Sequence, residues 1–460
     1  MNNSSILDCI PSFRGVSTDS RTVKAGDCFF AISGEKFDGH DYIAEVFEKG
    51  AACAVVQRDV DCREFPGRSI LRVKDTIAAL GDLAREYRKR AGYRVIAITG
   101  SVGKTTTRNM VHHVLSRHFR IHQSPKSFNN NIGVPLTLLN AEAGTQIVIA
   151  ELGTNHPGEI TYLTRIASPN IAIVTNIHPA HLEGFGDLES IAREKMSICE
   201  GLLPGGAMII NSDFEQLASF CAERNISFTS FGKSGKPDIT AENIHFHGFG
   251  SSLSIDGQNV ELSLPGPGNV ENVLAAWAVC KLCGIAVKEF AEAVKDFSGA
   301  VMRAEVMQVG TLTVLNDCYN ANPASMKNAL EILAGIDPTK KRRLVFVCAD
   351  MAELGDHSRS MHIKLGEEVA GANVDLMLAV GRFSEIAAKA ARKKSKKNLQ
   401  TKYFEDTLSV CNKLHEFIKD YDIVLVKGSR TAKLEAVVDK LKELFLQNVS
   451  PAMECFDTRL

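Results

Sequence analysis

Residues 93–118 constrain the fold most, because an apolar strand, a glycine-punctuated turn and a helix follow one another without a break. The strand is Tyr93-Arg94-Val95-Ile96-Ala97-Ile98, and the turn reads Thr99-Gly100-Ser101-Val102-Gly103-Lys104-Thr105-Thr106. From Ala97 to Thr105 the chain fits a phosphate-binding loop with Ala in place of the usual first Gly. Gly100 and Gly103 reach backbone conformations closed to bulkier residues, so successive N–H groups can face one anion. The positive end of the following helix points at the same spot. Lys104 offers a mobile charge to the outer phosphates, and the Thr105 hydroxyl suits a magnesium ion. The pattern predicts a nucleoside triphosphate site on a parallel α/β sheet; the alternative is a structural turn of similar spelling.

A chain of 460 residues is too long for one core, and typical domain sizes predict about three domains. Hydrophobic content of 45% and charged content of 23% are those of an ordinary globular protein. A formal net charge of −1 argues against a nucleic-acid partner, which normally demands a basic excess. No apolar run approaches the ~18 residues needed to span a bilayer, and the first residues lack the pattern of a signal peptide. The expectation is a cytoplasmic protein with no membrane span. Twelve cysteines are scattered, mostly in apolar segments, as reduced buried thiols are. The one CxxC, Cys280 and Cys283, lies in a helical stretch and reads as core rather than metal ligand.

Three regions follow from the rhythm of strands and helices. Residues 1–90 alternate short strands (27–32, 52–56) with helices (42–49, 75–90), and the basic run 85–90 reads as a solvated helix end. Residues 91–298 carry fully apolar strands at 147–150, 171–174 and 208–210, which indicates a parallel sheet covered on both faces. They close with β-hairpins over 243–264, turning at 248–252 and 256–257, and helices at 270–283 and 287–297. Residues 299–460 repeat the strand–helix rhythm, with strands at 313–316, 344–348, 376–380 and 423–426. The lysine-rich stretch 389–397 reads as a solvated helix end and loop.

Four clusters fall where parallel strands should end near the phosphate loop, the edge at which open α/β sheets bind ligands. Glu151 follows its strand directly and is placed for a second magnesium contact, or else caps a helix. The run 175–183 contains His178, His181 and Glu183; Pro179 breaks the helix on which paired zinc histidines usually work, so one imidazole near a magnesium pair is preferred over a zinc site. Lys195 lies on an amphipathic helix over 190–202, where most lysines are solvated. Asn269 and Asn272 follow a Gly/Pro turn, where an Asn amide can read adenine or simply cap the helix.

Taken together these residues resemble one family, the Mur ligases, which extend the peptide of bacterial cell-wall precursors with ATP. The phosphate loop, Glu151, His181-Leu182-Glu183 with Lys195, and Asn269 with Asn272 are similar to the shared ATP half-site. Further motifs are similar to members that perform the dipeptide-adding step: Asp19-Ser20-Arg21, Gly26-Asp27, Phe37-Asp38-Gly39-His40, Asn129-Asn130-Asn131 with Ile132 to Pro135, and Glu151-Leu152-Gly153. Near the C-terminus stand Asp317-Cys318-Tyr319-Asn320-Ala321-Asn322-Pro323, Asp350-Met351-Ala352-Glu353-Leu354-Gly355 with His362, and Lys427-Gly428-Ser429-Arg430.

The resemblance implies a small mixed α/β N-terminal domain for the UDP-sugar peptide, a central P-loop ATPase-like domain, and a Rossmann-like C-terminal domain that closes over ATP. It implies attack of the carboxylate of UDP-N-acetylmuramoyl-tripeptide on the γ-phosphate to give an acyl phosphate. The amine of D-alanyl-D-alanine then attacks the carbonyl. By the same resemblance Gly100 to Thr106, Asn269, Asn272, Arg303 and Asp317 hold the nucleotide, with Arg303 delivered to the γ-phosphate and Asp317 on the ribose. Thr105, Glu151, His181 and a carbamylated Lys195 hold two magnesium ions. Lys104, Glu151, His181, Lys195 and Arg303 form the catalytic set. Ser20, Arg21, Asp38, Gly39, His40, Asn129, Asn130, Tyr319, Asn320 and Asn322 contact the substrates.

Two positions depart from the family pattern. Gly268 stands where a histidine usually precedes the first Asn, which implies looser stacking with Asn272 keeping the main contact. Val301-Met302 replaces a common Pro-Gly pair before Arg303. Competing readings are another amide ligase of the superfamily, including folylpolyglutamate synthetase, a P-loop switch without synthesis, and a zinc hydrolase. The near-neutral surface and lack of heptads predict a monomer.

Overall fold

The computed structural model describes residues 10, 12–337, 339, 341–395 and 399–446. Three parallel-rich sheets follow one another along the chain, with a small antiparallel sheet beside the second. The N-terminal sheet is wholly parallel, in the order Val16–Ser17, Cys28–Phe30, Cys53–Val56, Ser69–Arg72. The helix Thr76–Ala91 links it to the next sheet. Asp75 starts this helix by accepting from the amides of Ile77 and Ala78, and Gly92 ends it at φ 73°. Leu80, Leu83 and Ala84 lie on its buried face.

One residue of its basic end is not solvated. Arg88 is buried, donates to Asn170 Oδ1 at 2.9 Å and lies over the Tyr93 ring at 5.2 Å. Its stem and guanidinium staple the linker helix to the central sheet, a long-range contact with no local signal.

The central sheet has seven parallel strands in the order Ile239–Thr240, Phe228–Gly232, Ala207–Asn211, Ile171–Val174, Arg94–Thr99, Ile147–Glu151, Ile121–Gln123. Its inner strands are buried on both faces, as their unbroken Ile/Val content requires. One face packs on Trp277 and Phe290, from the helices Pro267–Leu282 and Val287–Lys295. The expected hairpins form a three-stranded meander, Glu242–His247, Gly250–Ile255 and Gln258–Leu262. Its second turn, Asp256-Gly257, has both residues at positive φ, as a tight two-residue hairpin needs. The first turn is tighter than expected, since residues 250–252 already lie in strand.

The third sheet runs Glu305–Val309, Leu312–Asn316, Ile423–Lys427, Leu344–Ala349, Leu376–Val380, Gln400–Phe404. Only the first pair is antiparallel. The lysine-rich helix is Arg382–Lys394, and residues 396–398 of the expected loop lie outside the described residues. Cys280 and Cys283 are free thiols at the end of their helix, and burial pushes both thiols up. No helix among the described residues is long and apolar enough to cross a membrane. One cluster of touching apolar side chains takes in Phe30, Val95 and Phe346, one from each of the three large sheets, so the sheets share a core.

Candidate active site

The C-terminal ends of the central strands open onto a cleft of ≈ 1100 Å³, closed on the far side by the third sheet and its first helix. The phosphate loop forms its floor. Gly100 has φ 148°, and a Cβ there would sit 2.0 Å from Thr175 Oγ1; Gly103 has φ 82°, and a Cβ would sit 2.1 Å from Asn272 Oδ1. Both positions therefore favour glycine, since a side chain would be strained at these φ values and would require Thr175 or Asn272 to move. Asn176 braces the loop through its Oδ1 to the Val102 amide at 2.9 Å, and the Ser101 hydroxyl donates to the His178 carbonyl at 3.0 Å. The helix Lys104–Leu115 begins at Gly103 with no side-chain cap. Its first amides are thus left for an anion. Lys104 Nζ rests on the Gly100 carbonyl at 2.8 Å. Burial lowers its pKa, the Glu151 charge opposes this, and Arg303 lowers it further.

Beside the loop, Glu151 is buried at the end of its strand and accepts from Thr105 Oγ1 and Asn129 Nδ2, each at 2.9 Å. Arg108 approaches the same carboxylate at 3.4 Å. One carboxylate beside one hydroxyl, both hard oxygen donors, fits magnesium, which keeps waters and takes substrate phosphates as its other ligands. Lys195, on the helix Leu188–Met196, is only 2% exposed, and no side chain among the described residues hydrogen-bonds to its ammonium. Burial pushes its pKa well below the usual lysine value, Lys104 adds to this, and Glu194 opposes it. Glu194 itself is spent on the amides of Gly158 and Ile160.

His181 has φ 56°, and its Nδ1 lies 2.5 Å from Glu353 Oε2, close but not aligned as a hydrogen bond. The zinc alternative fails on placement: the His178 ring packs edge-on against Phe214, Glu183 is exposed, and no three metal-binding side chains converge among the described residues.

Across the cleft, Arg303 stacks on the Tyr319 ring at 4.2 Å, and Arg430 lies on the same ring at 5.9 Å. The Tyr319 hydroxyl donates to Ser127 Oγ at 2.5 Å, joining the third domain to the central one. Met302 and Ala304, flanking Arg303, have φ 61° and 50°. A glycine would adopt such a φ freely, so Met302 carries strain at this joint.

Asp317 accepts from the Ala304 amide at 3.0 Å and pairs with buried Lys427 at 2.6 Å. Asn322 caps the helix Pro323–Ile336, and the Asn320 side chain turns back to the Ala321 amide. Asn130 accepts from the amides of Ile132 and Gly133 at the start of a helix. These side chains border the cleft while most of their polar atoms hold its walls.

Asn269 and Asn272 line the cleft as expected, but their amides hydrogen-bond each other, and Asn272 Oδ1 packs on Gly103. Gly268 has a structural reason. Its amide donates to Asn328 Oδ1 of the third domain at 2.9 Å, and a Cβ would come 2.8 Å from that oxygen. A side chain at this position would press on the Asn328 amide.

Ser20, Arg21, Asp38, Gly39 and His40 lie in the N-terminal domain and do not border the cleft. Arg21 pairs with Asp19 at 2.6 Å. Burial would raise the Asp38 carboxyl, yet hydrogen bonds from the His40 amide and ring and from Ser33 hold it at about 2. Sequence reasoning missed Ser127, Asn328 and Arg108, none of which carries a local signal. Lys427 had one: a lysine ending a buried apolar strand.

A glycine-cradled anion site, a carboxylate–hydroxyl pair, and a second domain presenting an arginine define a P-loop enzyme that works on nucleotide phosphates inside a closable cleft. Residues 12–88, 98–280 and 302–430 match, in turn, the models described as Mur ligase family, catalytic domain; Mur ligase middle domain; and Mur ligase, glutamate ligase domain. The chain belongs to the Mur ligase family. It is 33% identical over 434 residues to UDP-N-acetylmuramoyl-tripeptide–D-alanyl-D-alanine ligase of Bacillus subtilis, covering 93% of each chain. The Escherichia coli enzyme of the same name is 34% identical over 438 residues, again at 93% of each. A crystal structure of MurF from Acinetobacter baumannii superposes with a TM-score of 0.85 at 32% identity, covering 95% of both chains. MurF ligase from Thermotoga maritima, in complex with ADP, superposes at 0.82 with 26% identity, covering 94% of this chain and 98% of that one. A folylpolyglutamate synthase from Mycobacterium tuberculosis shares the fold at 17% identity and a TM-score of 0.60, covering 79% of this chain.

Proposed function

We propose that this chain joins D-alanyl-D-alanine to UDP-N-acetylmuramoyl-tripeptide with ATP, through an acyl phosphate. Similarity at about a third of positions over nearly the whole length, to enzymes of that name, supports the step. The observation that carries the chemistry is the cleft itself, with the Lys104 loop on one wall and Arg303 on the other.

Bringing a carboxylate to a triphosphate crowds anions, so catalysis here is positioning plus cations. Gly100 to Thr106 cradle the phosphates, and Lys104 follows the outer ones. Thr105 and Glu151 would hold a magnesium ion, with His181 toward a second; these ions supply charge to neutralise the phosphates. Burial and Lys104 favour the neutral amine of Lys195, the form that takes up carbon dioxide. A carbamate on Lys195 would replace an ammonium repelling Lys104 with a carboxylate-like ligand. The tripeptide carboxylate oxygen bonds to the γ-phosphorus as the bond to ADP breaks. The dipeptide amine then attacks the acyl carbon, and phosphate leaves with that oxygen. Arg303 steadies the transferred group, while closure keeps water from the acyl phosphate.

We assign residues 1–90 to the UDP-sugar peptide, 91–298 to ATP, and 299–460 to closure and the dipeptide, acting as a cytoplasmic monomer. Phosphate release measured with each UDP-muramoyl peptide and each amine tests the reading. Release that requires both the tripeptide and D-alanyl-D-alanine is expected; release indifferent to the dipeptide overturns the step.

A further inference from the structure

Two strained residues meet across the cleft. His181 of the central domain has φ 56° and Glu353 of the third domain has φ 63°, a region costly for side chains other than glycine. Such conformations persist where the surroundings over-determine them, and they gather at functional sites.

The surroundings of Glu353 do so. Asp350, three residues before, accepts from the amides of Ser384 at 2.6 Å and Phe383 at 3.2 Å, at the start of the helix Arg382–Lys394. The Met351 amide donates to Nε2 of His362, which is fully buried, and the other ring nitrogen of His362 meets the Ser358 carbonyl at 2.6 Å. The ring also stacks on Phe383 at 5.3 Å. Met351 and Leu354 anchor the turn in the core. The Glu353 carbonyl accepts from the Glu183 amide at 3.2 Å, and Gly355 packs on Glu183. With Asp350, Met351 and Leu354 held, the turn presents the Glu353 side chain to the cleft, and its carboxylate stands 2.5 Å from the His181 ring.

We propose that Glu353 is a positioning residue: reaching from the third domain, it sets the His181 ring for work at the phosphate site, so that docking of the third domain and readiness of the central site become one event. This rests on the ligase reading above, in which His181 serves the phosphates. A carboxylate that orients an imidazole from behind is a common device, and its loss typically costs 10–100-fold in activity.

A double-mutant cycle on the full chain tests it. Glu353→Gln is expected to lower kcat about 10–100-fold with KM for ATP changed less than about threefold, and Glu353→Asp to recover part of the loss. Combined with His181→Ala, Glu353→Gln is expected to add less than about twofold, because two groups acting as a unit are not additive. Crystals of nucleotide-free Glu353→Gln are expected to show the His181 ring turned or disordered, and the melting temperature to stay within about 3 °C. The proposal is overturned by kcat within about twofold of the unaltered chain, by single losses that multiply, by a His181 ring that keeps its place, or by a larger fall in melting temperature. The dipeptide dependence of the unaltered chain is measured separately, so a failure of the ligase reading and a failure of Glu353 give different results.

Discussion

Lys195 is 2% exposed, and burial, with Lys104 adding to it, pushes its pKa well below the usual lysine value. The carbamate proposed for Lys195 would replace repulsion from Lys104 with attraction. Lys195→Ala is expected to lose at least about 100-fold in kcat, within the span of removing one electrostatic group, with short-chain carboxylates restoring part of it. Activity within tenfold of the unaltered enzyme, or no rescue in a folded variant, would count against that role.

His178 makes a second prediction. Burial, then Lys233 and Lys327, lower its pKa from 6.5 to about 4. The unfolded chain takes up this proton first, so the fold loses stability as pH falls from 6.5 to about 4, while the group is neutral in both states above that window. The loss is about 1–3 kcal/mol. Urea unfolding at pH 4.5 and 7.5 should show a smaller pH effect in His178→Gln, and an equal effect in both would contradict this. Lys104 and Glu151 were legible because their motif is contiguous or ends a strand. Ser127 and Asn328 were not, since each acts on a residue that only the folded chain brings close.

Elements were legible where burial is two-sided. Ile171–Val174 and Leu376–Val380 match their apolar runs, because nothing but a covered parallel strand suits such residues. The edge strand Gln400–Phe404 was missed, since most of its side chains are at least partly exposed and it reads as polar chain. The antiparallel strand Glu305–Val309 was missed for a similar reason. The most demanding element is the phosphate loop. Gly103→Ala puts a Cβ 2.1 Å from Asn272 Oδ1 at φ 82°, so strain and collision add. A stability loss of about 2–4 kcal/mol is expected, together with at least tenfold weaker ADP binding by titration calorimetry. An unchanged melting curve with full affinity would show that the loop is not built as described.

At the scale of the molecule, the cleft is lined by the Lys104 loop of the central sheet and by Arg303, Tyr319 and Glu353 of the third domain. Polar contacts between them include Tyr319 to Ser127, Gly268 to Asn328 and His181 beside Glu353, and apolar side chains of both also join one core cluster. The proposed reaction needs this joint to admit two substrates and then exclude water. The departures at Gly268 and Met302 both fall on this joint, which is why motif spelling alone left their effect open. In the proposed reaction the acceptor carboxylate itself attacks ATP. Tripeptide substrate carrying oxygen-18 in its reacting carboxylate, turned over with ATP and D-alanyl-D-alanine, tests this by mass analysis of the released phosphate. One labelled oxygen per phosphate is expected, and unlabelled phosphate from a productive reaction would rule out attack by the carboxylate.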